Sequence, residues 1–421
     1  MEYLYTLFSV IILFFLLVKK KNISLIVLYF FSTLVYYYNA YVGVIFHGKI
    51  NGTVTTSYEI SQGTYIVLFI NFFIIIISLL LERENVDLKQ KKMLKGELYV
   101  IRWMIIITFI LGLYLSYKYH IFSLQTQFNK TELMKESGRV EAYFKYIASF
   151  VFVYIFTQTS YNYKKLYKIL AVVSLVLTFL FGHRSYIVIS ILAIVFDKIY
   201  NECLKYSSFK KYIIKNKKII IMMGLFFALV LIIKGVSGAL FNGDWNLFYS
   251  RLTNLNYYSQ VFKVSEPNTI IKNLDTIVIN DFKIPYSSYL IILTYIVPGI
   301  SNLFHIENFT YVYQRELYAS GVTNQASTYL GEAYANGGYI MVFVIVLIQI
   351  IVLAMLFRGY LKSKNNVSKT FFLISGIDIA FYSHRNSLSF EATRIRAYLY
   401  IALTIYLMIC FIRSYVREKS K

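Results

Sequence analysis

Apolar residues run along this chain in long blocks and not in alternation. YLYTLFSVIILFFLLV, from Tyr3, is the first block. It approaches the ~20 residues a helix needs to cross a bilayer and carries no charge. The alternating segments of a membrane barrel are absent, so the spans are read as helices and the fold class as all-α and polytopic. About eleven spans are expected, near residues 3–18, 23–46, 64–81, 99–117, 144–160, 168–182, 185–199, 219–240, 333–357, 370–382 and 397–412. Within TFLFGHRSYIVIS, residues 178–190, two apolar runs are parted only by Gly182, His183, Arg184 and Ser185. A helix hairpin is expected there, with Gly182 supplying the tight turn.

The stretches between spans are unequal. Residues 241–332 form by far the longest one without a clear full span, between spans eight and nine, and read as a large extracytoplasmic loop inserted in a single membrane domain covering 1–421. Inside it YLIILTYIVPGISNLF, 289–304, is too short to cross and is broken by Pro298 and Gly299, which suits an interfacial or re-entrant helix. Reading it as a complete span would invert everything after it.

Composition agrees with the pattern. With 58% hydrophobic residues and a mean hydropathy of +0.57, 421 residues are too apolar for a soluble core. The net charge of +22 invites a nucleic-acid reading. The basic stretches are short, however, and lie between apolar spans, with no binding motif, so nucleic acid is not an expected partner. Lysines instead mark alternate loops: Lys19, Lys20 and Lys21; Lys89 to Lys95; Lys164, Lys165 and Lys168; the run from Lys198 to Lys218; Lys362, Lys364 and Lys369; and the C-terminal tail. By the positive-inside rule these are cytoplasmic, with the N-terminus outside and the C-terminus inside. The first span lacks a cleavage site and reads as a retained anchor. Cys203 and Cys410 show neither a disulfide framework nor metal spacing.

Arginine is sorted differently from lysine. Of twelve arginines, Arg139, Arg184, Arg251, Arg315, Arg385, Arg394 and Arg396 fall on the outward side. The guanidinium fork binds phosphate or carboxylate bidentately, so this set points to an anionic ligand. The plainer reading is headgroup contact or local salt bridges with acids such as Glu316 and Glu391. All five histidines also fall outside, and His183 and His384 each precede an arginine, in GHRS and SHRNS. No zinc-ligand spacing, P-loop, G-x-S-x-G, Rossmann fingerprint or D-x-D motif occurs, so no metal and no cofactor are expected. Fixed guanidinium groups can neutralise a pyrophosphate leaving group without a cation.

NQASTYLGEAYANGGYIMVFVIVLI, residues 324–348, resembles the segment that closes the large periplasmic loop of Wzy-type polymerases of bacterial O-antigen and capsule. GHRS between two helices and HRNS before the last span resemble that family too. Beyond these stretches the likeness is one of topology, and the R-x10-G pattern of some members is not found at Arg251 or Arg315. The resemblance implies a GT-C-like membrane glycosyltransferase of the bacterial cytoplasmic membrane that joins undecaprenyl-pyrophosphate-linked oligosaccharide repeat units outside the cell's inner membrane. Membrane lipids, a flippase and a chain-length regulator are the partners it implies. Carried onto this chain, Arg184, Arg251, Arg315 and Arg385 become diphosphate binders, with Arg394, Arg396 and His183 beside them. Glu332 in LGEAY becomes the base, with His384 as the alternative. Glu332 as a plain helix-start carboxylate stays open. So do two rival functions: an O-antigen ligase, which differs only in acceptor, and a lipid-linked oligosaccharide flippase.

Overall fold

The computed structural model describes residues 1–19, 22–48, 54–82, 96–121, 139–158, 163–206, 209–216, 239, 244–263, 265–285, 289, 309–318 and 328–418. Most of these are helical. The helices are α1 Glu2–Lys19, α2 Leu25–Tyr36, α3 Asn39–Val42, α4 Gln62–Leu81, α5 Glu97–Lys118, α6 Arg139–Thr157, α7 Lys165–Leu180, α8 Arg184–Tyr206, α9 Phe209–Lys215, α10 Trp245–Thr253, α11 Leu255–Lys263, α12 Glu266–Ile279, α13 Phe309–Leu317, α14 Tyr329–Lys362, α15 Asn366–Tyr382 and α16 Leu388–Glu418.

Four stretches, α4, α5, α14 and Leu388–Ser414 of α16, are long and apolar enough to cross a membrane, and three shorter apolar helices accompany them among the described residues. Their surfaces agree: Phe14, Leu81, Ile340 and Phe411 are all more than two-thirds exposed, which lipid tolerates and water does not. Hydroxyls inside the spans bond back to the carbonyl four residues earlier, as those of Thr33, Ser78, Thr108 and Ser116 do, which satisfies them within their own helices. The chain is a helical membrane protein.

One expected feature differs. The span read over 23–46 is only a 12-residue helix, α2, about 18 Å long. The chain then turns through α3 into an antiparallel hairpin, β1 Val44–Gly48 with β2 Val54–Glu59, pairing Val44 with Glu59 and His47 with Thr56. β-branched residues on either side of Asn51-Gly52 are a hairpin signal that the apolar run ahead of them hid. Of the span read over 219–240, only Ala239 is described, and of 289–304 only Tyr289. The long stretch 241–332 does hold structure, namely α10 to α13.

The GHRS break is where it was expected. His183 N–H bonds to Thr178 O at 3.2 Å and Gly182 N–H to Phe179 O at 2.8 Å. This two-bond cap needs a left-handed residue, and Gly182 has φ +88°. α8 then begins at Arg184.

The chain divides into two compact units. The first comprises Met1–Glu84, Glu202–Leu353 and Ile379–Ala392; the second comprises Asn85–Asn201, Ala354–Asp378 and Thr393–Lys421. In the first, α12 is latched to the β-hairpin and to α4. Asn268 exchanges bonds with both Phe46 N and Phe46 O, and Asp275 accepts from Ser61 N and Thr64 Oγ1 at the head of α4. α14 is interrupted at Gly337 and Gly338; the latter, at φ +65°, is strained for any side chain. The break frees Ala335 O, which accepts Ile284 N–H at 2.9 Å. In the second unit α5, α6 and α7 pack round Leu115, Phe144, Leu177 and Phe181. Gly112 sits where a Cβ would lie 2.8 Å from Phe144.

Candidate functional site

LGEAY and SHRNS, with the residues that flank them, come together in the first unit. Glu332 is buried on α14, and its Oε2 accepts the backbone N–H of Leu388 at 2.7 Å. Leu388 opens α16, so that N–H has no carbonyl in its own helix, and a carboxylate there also suits the helix dipole. No described residue donates to the other oxygen, Oε1.

His384 is wholly enclosed nearby. Its ring stacks on Tyr29 at 4.7 Å and meets Tyr37 edge-on at 5.4 Å, while Tyr36 and Tyr329 each lie 5.8 Å away. Nε2 is 3.3 Å from the Thr33 hydroxyl, and Nδ1 has no partner among the described residues. Burial pushes its pKa down to about 3, because an imidazolium would sit among rings without a counter-ion. At neutral pH His384 is uncharged. The hydroxyls of Tyr29 and Tyr329 bond to each other and both reach Asn71 Oδ1, at 2.7 and 3.4 Å, while Tyr37 bonds Thr328 at 3.1 Å.

Arg385 follows His384 in the same turn, partly exposed, and its Nε forms an ion pair with Glu266 at the head of α12. Arg251 lies 5.1 Å over the Tyr257 ring, and Arg315 is 3.8 Å from Glu316. Both belong to the same unit, on α10 and α13.

The remaining candidates lie in the second unit. Arg394 is 1% exposed. One guanidinium nitrogen is 2.9 Å from Asp378 Oδ1, the other donates to Ser185 Oγ at 3.2 Å, and the plane lies 4.8 Å over the Tyr186 ring. Its fork is therefore engaged by the protein itself. His183, in the turn between α7 and α8, packs edge-on to Tyr186 at 6.1 Å. Burial first, then the charges of Lys145 and Arg394, pushes it down to about 3, so it too is neutral. Arg184 is exposed, 5.8 Å over the Phe179 ring, and Arg396 is half-buried on α16. Arg139 opens α6.

Sequence reasoning did not single out Tyr29, Tyr37, Asn71 or Lys145. Asn71 was discoverable as a lone amide inside an apolar span, a position that is costly unless bonded. Lys145 heads an apolar span, and the two tyrosines are lost in a chain that holds 41 tyrosines in all. No group of His, Cys, Asp and Glu among the described residues could hold a metal ion. No known family's model matches the chain, and neither a curated protein nor a solved structure is similar to it. The functional reading therefore rests on the residues themselves.

Proposed function

We propose that this protein is a metal-independent glycosyltransferase that polymerises undecaprenyl-pyrophosphate-linked oligosaccharide repeat units on the outer face of a bacterial cytoplasmic membrane. One observation carries the reading. The stretches around LGEAY and SHRNS, which resemble polysaccharide polymerases, converge: Glu332 of LGEAY accepts from Leu388, the residue after SHRNS, and Tyr329, the residue before LGEAY, packs on His384.

The chemistry follows from that turn. Glu332 is held by one oxygen, which leaves Oε1 to accept the proton of an acceptor sugar hydroxyl. The hydroxyl oxygen forms the new glycosidic bond as the bond from the anomeric carbon to pyrophosphate breaks. Undecaprenyl pyrophosphate departs with the electron pair. Arg385 is the nearest guanidinium in sequence to that turn and neutralises the leaving group, trading its ion pair with Glu266 for the diphosphate. His384, neutral and enclosed, positions the turn and does not take the proton. An N-terminus on the outer side, Arg251 and Arg315 as further diphosphate contacts, and a GT-C-like architecture complete the proposal.

A ligase would share donor and arginines, and a flippase would share the span count. Deleting the gene and resolving the surface glycan on a gel separates them. Single capped repeat units support a polymerase; free polymer that is never attached points to a ligase, and loss of glycan with internal accumulation points to a flippase.

A further inference from the structure

The second unit gathers positive charge that its own acids do not balance. Lys145 lies near the start of α6, half-buried, with its ammonium 5.3 Å from the Tyr186 ring and 5.6 Å from the Tyr146 ring. Tyr186 receives the Arg394 guanidinium as well, at 4.8 Å. Tyr146 packs edge-on to Tyr186 at 5.0 Å and to Tyr398 at 5.3 Å, so the ring that both cations approach is itself held by aromatic neighbours. Asp378 is spent on Arg394 at 2.9 Å. The next acid along α6, Glu141 one turn earlier, accepts from Tyr119 and lies 3.7 Å from Lys118. No carboxylate lies within ion-pair distance of Lys145 among the described residues. His183 is close enough to feel both cations and stays neutral.

An ammonium withdrawn from water beside a second cation is unfavourable unless an anion joins it, and tyrosine faces offset only part of that cost. Among the described residues the cluster is one anion short. We propose that Lys145, with the neutral His183 as an added donor, binds a phosphate ester group in the second unit, while Arg394 is the positioning residue that Asp378 and Ser185 lock behind it. A lysine suits this role because it binds phosphate oxygen as a point charge with freely turning donors, whereas the Arg394 fork is already taken. The proposal rests on the polymerase reading only for whose phosphate is bound, a substrate's or a membrane lipid's.

The test is a binding measurement without any sugar substrate. Full-length protein in nanodiscs of zwitterionic lipid is titrated calorimetrically with inorganic pyrophosphate, and its melting temperature is followed with and without the anion. Wild type should bind and be stabilised. Lys145→Met should bind roughly tenfold to a hundredfold more weakly, and in the absence of anion should melt no lower than wild type, because an unpaired charge has been removed. Lys145→Arg should retain binding. A parallel set of nanodiscs containing anionic phospholipid separates the sources: a stabilisation dependent on Lys145 seen there and not with pyrophosphate assigns the phosphate to a lipid headgroup. Equal stabilisation of wild type and Lys145→Met in both sets, or none in either, overturns the site. Polymerisation lost with pyrophosphate binding intact would instead count against the proposed reaction and leave the site standing.

Discussion

Replacing Glu332 by glutamine separates its two possible roles. The Glu332 carboxylate accepts Leu388 N–H at 2.7 Å, and a glutamine amide oxygen of the same reach preserves that bond and the start of α16. What it cannot do is take a proton from a sugar hydroxyl, and removing a positioned base costs about 10²- to 10⁴-fold in rate. Glu332→Gln should therefore be folded, abundant and nearly inactive. Glu332→Ala removes the acceptor altogether. The Leu388 N–H is then left in a part-buried turn without that partner, which costs up to about 1–3 kcal/mol, of the size lost with a helix cap. The alanine variant should be both inactive and less stable. The assay is the glycan chain-length distribution alongside membrane protein level and melting temperature for each variant. If Glu332 only caps α16, glutamine will make wild-type polymer, and that outcome would refute its role as base.

Other consequences follow from the same geometry. Asp378→Asn strands the buried Arg394 charge and should destabilise by about 3–5 kcal/mol, whereas the double change Asp378→Leu with Arg394→Met should recover much of that loss in a melting experiment; strictly additive losses would contradict a coupled pair. For orientation, in a background with Cys203 and Cys410 changed to serine, Leu255→Cys should react with a membrane-impermeant reagent in intact spheroplasts, being 84% exposed, while Lys210→Cys should react only after permeabilisation. The reverse pattern inverts the topology and removes the significance of the outward arginines.

Much of the frame was legible because the bilayer imposes it. Blocks of apolar residues became α4, α5, α14 and α16, and Gly182 broke 168–197 into two helices for the steric reason foreseen. The hairpin at Val44–Glu59 was missed because strand residues beside an apolar run look like more of that run until the turn after them is weighed. Arg394 illustrates the limit for the site. Sorting by side of the membrane marked it as an anion binder, yet its anion is Asp378, buried with it. No spacing rule links two residues that sit on different helices. His384 was legible as a chemical group but not as an enclosed one, since four tyrosines from α2, the turn after it and α14 surround it only once the chain is folded. Lys145 was hidden for the opposite reason. A lysine is unremarkable until the described acids around it are seen to be occupied.

The most direct test of the central claim is reconstitution. Purified protein in liposomes, supplied with undecaprenyl-pyrophosphate-linked repeat units and excess EDTA, should yield a ladder of lipid-linked polymer and release undecaprenyl pyrophosphate in step with each added unit. Fixed guanidinium groups in place of a cation predict that EDTA leaves the rate unchanged. Polymer that forms only when magnesium or manganese is restored would contradict the metal-independent mechanism, and no elongation with or without metal would contradict the account as a whole.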